Sequence, residues 1–101
     1  MLSQEFKNEA IDILLKVKDH IADNSDCIWT YYETPQQMRD DIDKYILELG
    51  KGSTSLLDEM YMHFLPTAAY QEHSLMNNWT VEYHKLAARF DKIYDALKNS
   101  N

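Results

Sequence analysis

Cysteine, glycine and proline are nearly absent from this chain, at one, two and two residues in 101. A single cysteine, Cys27, closes no disulfide within the chain, which excludes the stapled scaffolds of small secreted domains. Two glycines and two prolines supply too few special backbone positions for the many tight turns of a sandwich or barrel, so helices are favoured. There is no run of eighteen apolar residues and no basic-then-apolar leader. Neither a membrane span nor an export signal is therefore expected, and the reading is cytoplasmic. The sequon Asn78-Trp79-Thr80 carries no weight in that setting.

Positive charge is scarce too. Ten Lys and Arg stand against seventeen Asp and Glu, a net charge of −7. Such a surface repels phosphate backbones and anionic lipid, which argues against nucleic-acid or membrane binding. A basic protein partner would be attracted, with faster association at low salt. By segment, only residues 79–101 are net positive, at +1.

What the chain does have is apolar and aromatic content: 45% apolar residues, with seven tyrosines, three phenylalanines and two tryptophans. That is too much to leave unfolded, and the length suits one helical domain over residues 1–101. The strongest pattern is Trp79, Tyr83, Leu86, Phe90, Ile93 and Leu97, spaced by four and three along one helical face. It predicts a core-facing helix from about Asn78 to Lys98. A first helix is expected over residues 4–23 behind Ser3 as N-cap, with Phe6, Ala10, Ile13, Leu14, Val17 and Ile21 inward. Ile11 and Leu15 widen its apolar face enough to touch a neighbour or a second copy of the chain, so a homo-oligomer or self-associating structural subunit is one reading.

Thr34-Pro35-Gln36-Gln37 predicts the start of another helix, with Thr as cap, Pro at the first position and Gln three residues after the cap. Met38, Ile42, Tyr45, Ile46 and Leu49 form its buried face, and Gly50 or Gly52 ends it. Asp40, Asp41 and Asp43 on its outer side diverge by about 100° per residue, so they read as a solvated acidic face and not a cation loop. Gly50-Lys51-Gly52-Ser53-Thr54 lacks the spacing of a phosphate-binding loop and follows a helix, so it reads as a turn, with Thr54 or Ser55 capping the next helix. That short third helix, Leu56 to Leu65, buries Leu57, Met60, Tyr61 and Phe64 and stops at Pro66.

Two stretches resist assignment. Residues 24–33 include the aromatic run Cys27-Ile28-Trp29-Thr30-Tyr31-Tyr32, which suits an extended connection, and residues 66–78 show no clear period. The expected fold is thus all-α, an antiparallel four-helix bundle with a short third helix and aromatic-rich connections. The alternative is an α+β fold with a two-stranded element from residues 27–32 and 67–75.

No nucleophile and base, glycine-rich fingerprint or zinc motif is present, so no catalytic set, cofactor or metal is expected. Glu59 and His63, four residues apart, could share a helical face, but a di-iron bundle needs Glu-x-x-His pairs on two helices and the chain has none. The favoured function is an acidic protein-binding module, neutralising a basic partner in the manner of an immunity protein or antitoxin. Its expected binding residues are the unassigned and aromatic ones: Tyr70, Gln71, Glu72, His73 and Trp79, with Trp29, Tyr31 and Tyr32. The alternative is a small enzyme that uses Glu72 and His73 in acid/base chemistry.

Overall fold

The computed structural model describes residues 3–27, 30 and 32–99. All of its regular structure is helical, in five segments: α1 (Gln4–Asp19), α2 (Pro35–Gly50), α3 (Leu57–His63), α4 (Ala69–Met76) and α5 (Thr80–Asn99). The helical class is as expected, but the count is five among the described residues, not four. The added helix, α4, occupies the stretch that has no clear period in the sequence. It also excludes a strand at residues 69–75, and no strand occurs among the described residues.

Local chemistry sets each boundary. Ser3 Oγ accepts the Phe6 N–H at 3.1 Å and opens α1. This helix ends at Asp19, short of the expected 23, because the polar run Asp23-Asn24-Ser25-Asp26 offers competing bonds to the backbone. Ser25 Oγ takes the Ala22 N–H at 2.9 Å, and Arg39 Nη1 donates to the Ile21 carbonyl at 2.8 Å. Ile21 nevertheless stays buried.

The start of α2 is as its sequence predicts. Thr34 Oγ1 accepts from Gln37 N, Pro35 fills the first position, and the Gln37 side chain reaches back to the Glu33 N–H at 2.8 Å. Its end is a Schellman motif: Gly52 is left-handed at φ 80°, and the N–H groups of Gly52 and Ser53 return to the carbonyls of Leu49 and Glu48. The expected cap on α3 is absent. Ser53 and Ser55 bond to each other, and α3 starts without a side-chain cap.

The join between α4 and α5 repeats the Schellman pattern with asparagine. Asn78 adopts φ 65°, and the Trp79 N–H returns to the Ser74 carbonyl at 3.0 Å. Asn78 therefore closes α4, and α5 begins two residues later than expected.

The core is one cluster built on the predicted stripes of α1, α2 and α5, with Leu57, Met60 and Phe64 from α3 and Ala69 and Tyr70 from α4. Helix α1 packs on α2 and α5, while α3 and α4 pack on each other and on α5. Polar contacts pin the same pairs. Arg89 on α5 donates to Glu9 and Asp12 on α1, both at 2.8 Å, and Tyr83 donates to the Phe64 carbonyl at 2.6 Å. Cys27 is buried beside the Met38 sulfur, as a small hydrophobe would be. Ile11 packs half-buried on the core, whereas Leu15 is exposed. No described helix is long and apolar enough to cross a membrane.

Candidate functional site

The polar side chains with the most specific geometry gather where α2, α3, α4 and the segment before α2 meet. Tyr45, on the otherwise aliphatic inner face of α2, has its ring in the core and its hydroxyl at the edge. That hydroxyl donates to Glu59 Oε2 on α3 at 2.5 Å and lies 2.8 Å from His63 Nε2, one turn along the same helix. With the single Tyr45 proton given to Glu59, the bond to His63 requires Nε2 to carry hydrogen and donate. From the other side Tyr32 donates to Asp41 Oδ2 at 2.6 Å, with His63 Nε2 at 3.4 Å from its oxygen. Tyr70 of α4 closes the group, its ring 5.1 Å from that of His63 and 4.9 Å edge-on from Phe64.

Electrostatics fix the protonation states. Burial, reinforced by the neighbouring carboxylates, pushes the Tyr32, Tyr45 and Tyr70 hydroxyls far above their ordinary range, so all three remain protonated donors. The hydrogen bond from Tyr45 holds the Glu59 carboxyl below its usual value, and burial pushes His63 down toward its neutral form. The arrangement offers oriented carboxylates and fixed donors. It does not place an activated nucleophile beside a base. Outside the phenols sits Lys44, its ammonium 3.8 Å from Asp41 Oδ1, 3.6 Å from Glu59 Oε2 and 5.5 Å from the centre of the Tyr45 ring.

Two residues of the expected binding set, Tyr32 and Tyr70, are brought together here. The others are not. Gln71 turns its side chain back to hold the Thr67 N–H, and Glu72 lies half-buried on the first turn of α4. His73 is fully buried, and its Nδ1 accepts the Trp79 indole N–H at 2.8 Å. His20 in turn stacks face to face with Trp79, the ring centres 4.5 Å apart and the planes within 1°. These three rings form a separate contact that ties the end of α1 to the α4–α5 join. Burial, with the charge of His20 adding to it, lowers the His73 pKa to about 4. Trp29 and Tyr31 lie outside the described residues.

Asp41, Tyr45, Glu59 and His63 were not expected as site residues. Asp41 reads as part of a solvated face, yet it accepts the Tyr32 hydrogen bond, and Asp43 beside it pairs with Lys18 at 2.6 Å. The available signal was the i, i+4 spacing of Asp41 with Tyr45 and of Glu59 with His63, which puts each pair on one face. Among the described residues no three His, Cys, Asp or Glu side chains come close enough to hold a metal ion. Comparison with protein-family models, curated proteins and solved structures finds no match to this chain.

Proposed function

We propose that this protein is an acidic binding module for a basic protein, acting by contact and not by catalysis. One observation carries the reading: the chain's positive groups are mostly engaged internally, while much of its negative charge faces outward. Lys16, Lys18, Arg39, Lys44, Lys51, Arg89 and Lys98 are all in ion pairs. Asp19, Glu33, Asp40 and Glu82 are exposed and in no ion pair among the described residues. The excess is greatest over residues 19–43, which hold seven carboxylates against one cation, Arg39. Arg39 and the Lys18–Asp43 pair draw the end of α1 and the first half of α2 together, so these carboxylates share one end of the molecule.

Those two contacts also favour an antiparallel run of α1 against α2, the bundle geometry in which such an end is formed. The free, buried thiol of Cys27 suits a reducing compartment, in keeping with a cytoplasmic module. Neutralising a basic partner, as an immunity protein or antitoxin does, is the form of action this charge pattern serves best. The test is fluorescence anisotropy with arginine-rich and glutamate-rich peptides of equal length at low and moderate salt. Binding of the basic peptide alone, weakening as salt rises, is expected. Equal binding of both peptides, or of neither, refutes the reading.

A further inference from the structure

On the reading that the partner is basic, we propose that the Asp41–Glu59 pair, framed by Tyr32 and Tyr45, is the seat for an arginine side chain of that partner, and that Lys44 is the chain's own occupant of it. Three observations converge on this. Each carboxylate has one oxygen held by a phenol donor, Tyr32 on Asp41 at 2.6 Å and Tyr45 on Glu59 at 2.5 Å. The two groups are thereby oriented before any ligand arrives, which lowers the ordering cost of binding.

The Lys44 ammonium marks the position where a cation rests, between both carboxylates and over the Tyr45 ring. Its contacts of 3.6 and 3.8 Å exceed the roughly 2.7–2.9 Å of a charge-assisted hydrogen bond, and its side chain is half exposed. It neutralises the pair without occupying its lone pairs. A guanidinium, planar and with five donors, can bond to two carboxylates at once and stack on an aromatic ring, which a single ammonium does poorly.

The third observation is Tyr70. Its hydroxyl is fully buried, has no hydrogen-bond partner among the described residues, and faces the cluster from behind, within electrostatic reach of Tyr32, Asp41 and Glu59. It is hydrogen-bonding capacity left over on the inner side of the seat, and an incoming N–H donor can use it. Tyr32 also borders an open depression of about 490 Å³ lined by Ser25, Asp26, Cys27, Glu33 and Pro35, so a peptide chain entering beside the seat passes two further carboxylates.

The test titrates an oligo-arginine peptide into the full chain at low salt, followed by backbone amide shifts and by anisotropy. Expected are shifts centred on residues 32, 41, 45, 59 and 63, and about tenfold weaker binding by the double variant Asp41→Asn, Glu59→Gln, whose amide oxygens still accept the phenol protons. Lys44→Ala removes the internal occupant and should tighten binding about threefold, while Tyr70→Phe should weaken it by about the same factor. Circular dichroism confirms that each variant is folded. If oligo-arginine does not bind at all, the binding-module reading and the seat both fall. If it binds but the double variant binds as wild type, or Lys44→Ala or Tyr70→Phe leaves affinity unchanged, the seat is wrong and the wider reading stands.

Discussion

Lowering the pH should destabilise this protein chiefly through His73, in a window above that of the carboxylates. His73 is fully buried, its Nδ1 accepts the Trp79 indole N–H, and its Nε2 has no partner among the described residues. Only the neutral ring suits this environment, since protonation would set two donors against each other and place an uncompensated charge in the core. The folded pKa is therefore about 4, against 6.5 for a free histidine. Because the folded value lies below the unfolded one, the unfolded chain takes up the proton first. Stability is complete above pH 6.5, falls as pH drops toward 4, and levels off below. At 1.36 kcal/mol per pH unit the loss from this group is about 2 kcal/mol by pH 5 and about 3 kcal/mol at the plateau. Urea denaturation from pH 7.5 to 4.5 of the wild type and of His73→Gln, whose side-chain oxygen can still accept from Trp79, measures it. The variant keeps the contribution of His63, which burial also lowers, so the difference between the two curves isolates His73. Parallel curves across that window, or an NMR titration of His73 with a midpoint above pH 6, would refute the reasoning.

Three substitutions test other parts of the structure by the same denaturation assay. Tyr70→Phe removes a buried hydroxyl that has no partner among the described residues and should raise stability by about 1 kcal/mol, whereas a loss of that size would mean the hydroxyl is bonded in solution. Tyr83→Phe leaves the Phe64 carbonyl without its 2.6 Å donor and should cost about 1–2 kcal/mol; an unchanged midpoint would show that this link between α3 and α5 contributes nothing net. Thr67 is a β-branched residue at φ 65°, so Thr67→Gly should stabilise by about 0.5–1 kcal/mol, and an equal loss would contradict the left-handed conformation.

The elements that were legible in the sequence are those in which local and long-range signals agree. Helix α2 has its cap, its proline and its aliphatic stripe in register, and the Trp79–Ile93 stripe of α5 is buried throughout. Helix α4 was illegible for a definite reason. Its buried face is Ala69, Tyr70, His73 and Ser74, helical in spacing but half polar, so a search for apolar periodicity passes over it. Its end was missed because Asn78 takes the left-handed role usually given to glycine. The site was legible only in halves. Spacing places Asp41 with Tyr45 and Glu59 with His63, but nothing local states that the two faces meet or that Tyr32 and Tyr70 close over them. Proximity in sequence also misled, since Tyr70 and His73, one turn apart on α4, serve the tyrosine cluster and the Trp79 contact respectively.

That division of α4 implies that binding and stability respond differently to acid. The arginine seat depends on phenols that stay protonated through the whole neutral range and on the Glu59 carboxyl, which its phenol donor holds below the ordinary value. His63, a neighbouring imidazole that could add a repelling charge, is pushed toward neutrality by burial. Between pH 8 and 6 the seat therefore keeps its charge and its donors, while the His73 contribution to stability begins to fall at the lower end. Oligo-arginine affinity at fixed ionic strength should change by less than about twofold over that range, since the phenols stay protonated and burial holds His63 toward its neutral form. An affinity that falls severalfold from pH 8 to 6 would show His63 taking up a proton in the folded protein, and would make the cluster a titrating site instead of a constant one.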